Sequence, residues 1–252
     1  MAPLTRPLIE VQGIHVRFGD RVVLEGIDLE VAEGELHGIM GPNGAGKTTF
    51  FNVLTGRVRP SRGRIRLDGA DLTGLAPHEI AARGVARSFQ IMTLFDEFTA
   101  RDNVMMALPA FRARGFDMRR AVAGDRALAE EADEVLSQVG LLEKAAVVAK
   151  QLSYGERRAL EIALALGQRP KVLCLDEPTS GLGSDGKQRL LQLVRGIRAG
   201  LTVIAIEHEM DFLFSLADRI SVIHWGQVVA RGTPRELQAN EWVRRSNLGR
   251  FA

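Results

Sequence analysis

A single cysteine, Cys174, stands among the 252 residues, so no disulfide can form within the chain. It lies in the apolar run 172–175, where a small buried hydrophobe is the simplest reading. One unpaired thiol fits a reducing compartment. Long apolar runs are missing too, and none approaches the roughly 18 residues that a membrane helix needs. The opening Met-Ala-Pro-Leu-Thr-Arg-Pro lacks the apolar core of a secretory signal. If the protein serves a membrane, it does so through a partner. Nor does charge of one sign predominate: 33 Lys and Arg oppose 31 Asp and Glu, a formal net charge of +2. That balance gives no support to a nucleic-acid binder. What the chain does have is a 46% hydrophobic share, enough for a substantial core in one large domain or two lobes. No internal repeat, low-complexity tract or long linker is visible.

The first apolar residues alternate. Ile9 and Val11 share one face, and after a shift at Gly13, suggestive of a bulge, Ile14, Val16 and Phe18 share another. A turn at Gly19-Asp20 leads to a second alternating run, Ile27, Leu29 and Val31, and the two predict antiparallel strands with one wet face. The pattern then changes. Residues 36–40 are short and mostly apolar and run into glycines, 47–54 read as helix, and Ile65 and Leu67 alternate before Asp68-Gly69. The apolar strands 172–175 and 202–206 each follow a helical stretch, 159–166 and 188–197. Alternation of strand and helix predicts an α/β fold with a mainly parallel sheet. Between about 94 and 150 the β signal disappears, and Leu128, Ala132, Val135, Leu136 and Val139 recur at helical spacing, which predicts a helical lobe inserted into the core. Strands return at 220–223 and 228–230. The basic cluster Arg112, Arg114, Arg119 and Arg120 reads first as a solvated face, with anionic lipid or another subunit as the functional alternative.

Gly41-Pro42-Asn43-Gly44-Ala45-Gly46-Lys47-Thr48 fits G-x-x-x-x-G-K-[ST] between a buried strand and a helix. Glycines let successive backbone N–H groups curl around phosphate oxygens, and the helix N-terminus adds its positive end. Lys47 is placed to pair with the β- and γ-phosphates of a nucleotide, and Thr48 to offer a hydroxyl to Mg²⁺. Downstream, Lys171-Val172-Leu173-Cys174-Leu175-Asp176-Glu177-Pro178 ends a buried strand in two adjacent acids. Such an ending is costly unless the acids serve something, and Pro178 stops the strand there. Asp176 is the candidate metal ligand, directly or through water, and Glu177 the candidate base for an attacking water. Leu152-Ser153-Tyr154-Gly155-Glu156 reads locally as a capping box, and a Ser-capped helix start beside Gly155 is also an anion site.

With these motifs the chain, over about residues 8–250, resembles the ATP-binding-cassette family. The resemblance implies a P-loop NTPase core with a mainly parallel sheet, N-terminal antiparallel β strands and a helical subdomain, about 91–158, inserted in the RecA-like core. It implies ATP and Mg²⁺ as cofactors. Nucleotide contacts fall to Phe18, Gly41, Pro42, Asn43, Gly44, Ala45, Gly46, Lys47, Thr48, Thr49, Ser153 and Gly155. Metal contacts fall to Thr48, Gln90 and Asp176, and catalysis to Glu177 with His208 at the γ-phosphate. Residues 152–156 correspond to the family's signature motif, usually Leu-Ser-Gly-Gly-Gln, with Tyr154 in place of the first Gly and Glu156 in place of the Gln. By resemblance this motif contacts ATP held by a second cassette, so that two chains sandwich two nucleotides. Phe18 is the aromatic that would stack on adenine, although its alternating strand allows a core role equally. Gly183 departs from the family, which commonly has aspartate there, and Asp185 lies two residues on.

Residues 50–56, 84–90 and 102–104, together with 152–162 and 232–249, look like the cassettes of bacterial branched-chain amino acid importers, most of all the first of their two ATPases. That likeness implies permease subunits and a second ATPase cassette as partners, and indirectly a substrate-binding protein. No nucleic-acid partner is implied, and the implied location is peripheral, at the cytoplasmic face of the bacterial inner membrane. Cassettes for urea or short amides are similar, a lipopolysaccharide-type exporter is a further reading, and a non-transport ATPase acting on nucleic acid or ribosomes is the alternative of a different class.

Overall fold

The computed structural model describes residues 7–88, 94–113 and 125–245. Gln90, Arg114, Arg119 and Arg120 and the tail from 246 onward lie outside the described residues, as does the Arg112 side chain.

Strands β1 (Pro7–Phe18) and β2 (Arg21–Ala32) pair antiparallel, and with β4 (Arg62–Leu67) and β5 (Ala70–Asp71) they form a sheet ordered β2-β1-β4-β5. The register of β1 against β2 shifts between Val11 and Ile14, with Gly13 at φ 55°. That shift keeps Ile9, Val11, Ile14 and Val16 all buried, which a strict period of two would not allow. The second sheet is ordered β10-β9-β3-β8-β7-β6. Its members are β3 (Leu36–Met40), β6 (Val85–Ser88), β7 (Val172–Asp176), β8 (Thr202–Ile206), β9 (Arg219–His224) and β10 (Gln227–Gly232). All its neighbours run parallel except β10, which closes a hairpin on β9.

The central strands β7 and β8 are apolar at four of five positions each because both faces are covered. Leu173, Leu175, Val203 and Ala205 belong to the cluster formed with the helices. Val172, Cys174, Ile204 and Ile206 belong to the other cluster, with the first sheet and helix α1 (Lys47–Leu54). Cys174 is fully buried there, and burial pushes its thiol up to about 12. It is a packing residue with no reactive character.

Between β6 and β7 the described chain is helical: α3 (Ala100–Ala107), α4 (Pro109–Ala113), α5 (Arg126–Gln138) and α6 (Tyr154–Gly167), with α2 (Pro77–Ala82) preceding β6. Val104, Leu136, Leu160, Leu173 and Leu175 lie in one hydrophobic cluster, so these helices and the sheet share a core. Thr99 caps α3 and Asp125 caps α5, each accepting from a backbone N–H. Helices α7 (Ser184–Ile197), α8 (Met210–Leu216), α9 (Pro234–Ala239) and α10 (Glu241–Arg245) complete the order. Among the described residues no helix is long and apolar enough to cross a membrane.

Candidate functional site

Three parallel strands, β3, β7 and β8, deliver their C-terminal loops to one edge of the sheet, where ligands of open α/β sheets bind. Glu177 N donates to Ile206 O at 2.9 Å, and Glu207 N donates to Ile39 O at 3.2 Å, so the three strand ends are laced together.

The loop from β3 to α1 turns on glycines. Gly41 has φ 155°, and a Cβ there would stand 2.1 Å from Ile223 O; Gly46 has φ 104°, and a Cβ would meet Leu24 Cδ2 at 2.7 Å. These positions require glycine for conformation and for space. Gly226 N donates to Ala45 O at 3.0 Å, which ties the β9–β10 turn to the loop. Gly46 caps α1 with no side-chain bond, so the N–H groups of the first turn have no side chain of their own to satisfy them. Lys47 is buried, and its Nζ donates to Gly41 O at 2.7 Å and Pro42 O at 3.0 Å. Burial pulls its pKa below the usual lysine value, opposed by the nearby carboxylates of Glu177 and Asp176. Asn43, Gly44 and Thr48 are exposed at the mouth of the loop, with Thr49 half-buried.

Asp176 ends β7, almost fully buried, with Oδ2 bonded to Arg87 Nη2 at 2.5 Å. Arg87, from β6, also donates to Asn52 Oδ1 at 2.8 Å and Thr55 Oγ1 at 3.1 Å, and its guanidinium stands 5.5 Å from the Phe51 ring centroid. Glu177 follows with φ 45°, an uncommon left-handed conformation for a residue with a Cβ. The buried Arg158 of α6 holds that bend: it donates to the carbonyls of Asp176, Glu177 and Pro178 at 3.1, 2.9 and 3.2 Å, and to Glu161 Oε2 at 2.8 Å. Next door, the buried Glu207 accepts from Thr179 N at 2.7 Å and His208 N at 3.2 Å. Burial raises its pKa, opposed by hydrogen bonds from Thr179 and from the Glu209 backbone. His208 lies exposed directly beyond, its Nδ1 3.9 Å from Glu207 Oε2.

Ser153 caps α6 as the sequence predicts. Glu156 N donates to Ser153 Oγ at 3.5 Å, and Ser153 N donates to Glu156 Oε2 at 2.9 Å. Ser153 and Gly155 both face solvent. Phe18 ends β1 with 54% of its surface exposed, so it lies outside the core. Gly183 is the N-cap of α7 and contributes no side-chain bond, while Asp185 sits inside that helix's first turn. The structure thus gathers the phosphate loop, Asp176, Glu177 and His208 at one edge, with Ser153 and Gly155 exposed on a separate helix start.

The family model described as "ABC transporter" matches residues 24–180. The high-affinity branched-chain amino acid transport ATP-binding protein BraF of Pseudomonas aeruginosa is 40% identical, over 98% of this chain and 99% of that protein. The chain belongs to the ABC transporter family. As a member of it, this cassette binds and hydrolyses ATP. It is also similar to the protein LivG, of the same description, from Escherichia coli K12, at 37% identity over 98% of this chain and 99% of that protein. The lipopolysaccharide export system ATP-binding protein LptB of Acidithiobacillus ferridurans is 33% identical, over 96% and 97%. Among solved structures, the ADP conformation of MJ1267, an ATP-binding cassette of an ABC transporter, superposes with a TM-score of 0.86 at 26% identity, covering 97% of this chain and all of that one.

Sequence reasoning missed two arginines. Arg87 carries no motif, but it lies three residues before Gln90 and is the partner of Asp176. Arg158 lies in α6, and its placement five residues after Ser153 was the available signal. Lys47→Ala in this cassette is expected to weaken ATP binding by about ten- to a hundredfold, the scale of a charged hydrogen bond. A fluorescence titration with an ATP analogue measures this, and unchanged affinity would remove Lys47 from the phosphate site.

Proposed function

We propose that this ATPase is the motor of an importer for branched-chain amino acids. The observation that carries the reading is full-length similarity: BraF and LivG proteins match at 37–40% identity over 98% of the chain. Its partners are then permease subunits, a second cassette and, through the permeases, a substrate-binding protein, at the cytoplasmic face of the inner membrane. The exporter reading rests on the lesser similarity to LptB at 33%.

The site supports the following division of work. Phe18 offers an exposed ring for adenine. The 41–46 loop and the first turn of α1 present N–H groups to the phosphates. Lys47 exchanges its bonds with Gly41 O and Pro42 O for phosphate oxygens. Thr48 and Asp176 fit Mg²⁺ in kind, being hard oxygen donors, and Arg87 engages Asp176 through Oδ2. Among the described residues no group of three or more His, Cys, Asp or Glu could hold a metal alone. An ion held by Thr48 and Asp176 would share its coordination with nucleotide phosphates and water, as Mg²⁺ does. Bound there, Mg²⁺ supplies charge neutralisation for the transferring phosphoryl group. Glu177 takes the proton of the attacking water, and His208 holds the γ-phosphate. Ser153 and Gly155 serve the nucleotide of the partner cassette, and Gln90 links the core to a helical subdomain at about 91–158.

The test is ATP-driven uptake of radiolabelled leucine by proteoliposomes holding the chain with its co-purified permeases, supplied with the binding protein. Uptake of leucine, isoleucine and valine with mutual competition is the expected result. Uptake of urea or short amides alone would sink the substrate assignment, and failure to co-purify with any permease would sink the transporter role.

A further inference from the structure

The loop that leaves Glu177 is held from a direction the family motifs do not describe. Tyr154, in the first turn of α6, donates its hydroxyl to Ser180 O at 3.0 Å. The backbone is fitted to that ring: Gly181 has φ 75°, and a Cβ there would stand 2.7 Å from Tyr154 Oη and 3.0 Å from Cζ. Within the loop, Ser180 N donates to Glu177 O at 3.1 Å and Leu182 N to Thr179 O at 3.1 Å, and the Leu182 side chain packs against the core. A cavity of about 440 Å³ lies against the loop, lined by Tyr154, Gly155, Leu182, Gly183 and Arg189 among others. At its end Gly183 caps α7 without a side chain, at the position where an aspartate would supply one. Arg158, one turn further along the same helix, binds the carbonyls of Asp176, Glu177 and Pro178. Helix α6 therefore contacts the segment 176–180 at four carbonyls, and Tyr154 makes the outermost of these contacts, next to Ser153 and Gly155.

We propose that Tyr154 is a positioning residue for hydrolysis: its hydroxyl fixes the 180–183 loop to the start of α6, so that the base-bearing segment and the Ser153–Gly155 turn move as one body. This rests on the reading of Glu177 as the base and of Ser153 and Gly155 as nucleotide contacts. Tyr154 acts through the loop, and its own ring touches neither the phosphate loop nor Lys47 in the contacts described. A fixed loop keeps Glu177 in the geometry for proton transfer once nucleotide is bound. The hydroxyl therefore contributes to turnover and leaves ATP capture unaffected.

Tyr154→Phe keeps the ring and removes only the donor. Steady-state hydrolysis should show kcat lowered by about three- to tenfold, the scale of one hydrogen bond, with KM for ATP unchanged within about twofold. Amide hydrogen exchange should quicken at 179–184, while the thermal midpoint stays within about 2 °C of wild type, since the bond lies at the surface. A kcat equal to wild type overturns the proposal. So does a joint change of kcat, KM and thermal midpoint, which marks a structural role only. Glu177→Gln, run alongside, keeps the two claims apart: full activity in that variant defeats the underlying reading, whereas a normal Tyr154→Phe beside an inactive Glu177→Gln defeats this inference alone.

Discussion

Glu177→Gln is expected to slow ATP hydrolysis by about a hundredfold or more, within the usual scale for a general base, while ATP binding persists. The amide has nearly the shape of the carboxylate, and two hydrogen bonds hold the backbone at this position. Its N–H is held by Ile206 O at 2.9 Å, and its carbonyl by Arg158 Nη2 at 2.9 Å. The strained φ of 45° therefore survives the substitution. What is lost is the proton acceptor. Lys47 loses one of the two carboxylates that oppose the downward pull of burial on its pKa but keeps Asp176. Phosphate release measures the rate, and a sizing column with ATP follows pairing. An ATP-trapped dimer shows that the chain pairs with itself, whereas binding without a dimer points to a different partner cassette. Turnover equal to wild type would end the assignment of Glu177 as base.

How much of this was legible in the sequence depended on whether a residue acts within a local pattern. The phosphate loop was readable because its glycines, its lysine and the flanking strand and helix are contiguous, and α1 spans Lys47–Leu54 as its pattern predicts. Strands β7 and β8 were readable because burial on both faces makes their runs 172–175 and 203–206 wholly apolar. Strand β6 was not. Its four residues Val-Ala-Arg-Ser are all buried, yet two are polar, and pairing with β7 is what makes them a strand. Phe18 fits an alternating strand equally as core or as stacking platform, and only the end of β1, where the sheet stops covering it, places it in solvent. Arg87 and Arg158 have partners that no short motif connects, since Arg87 meets Asp176 across 89 positions of sequence. The capping box at Ser153 was visible, but the direction of the neighbouring Tyr154 ring was not, because it depends on where the segment after β7 returns.

The same Arg87 carries the largest expected effect on stability. Its ion pair with Asp176 has both side chains 6% exposed or less. Breaking a pair this buried from one side leaves a buried carboxylate without its guanidinium, so Arg87→Met is expected to cost about 3–5 kcal/mol of unfolding free energy. Two further bonds go with it, to Asn52 Oδ1 and Thr55 Oγ1, and with them the contact that ties β6 to the end of α1. Methionine supplies volume against Phe51 but no donor for any of the three acceptors. The double variant Arg87→Met with Asp176→Asn removes the stranded charge and should recover about half of the loss, because an amide is far cheaper to bury than a carboxylate. Urea unfolding at neutral pH, with the slope checked for constancy, measures both variants. A loss below about 1 kcal/mol for Arg87→Met would show that water or Lys47 can satisfy Asp176 as well as the arginine does. A double variant no better than the single would shift the weight to the Asn52 and Thr55 bonds. If the loss and its partial recovery are both seen, the strand end that presents Asp176 is held in place by a charge in β6, three residues from Gln90, which gives that segment a direct hold on the candidate metal ligand.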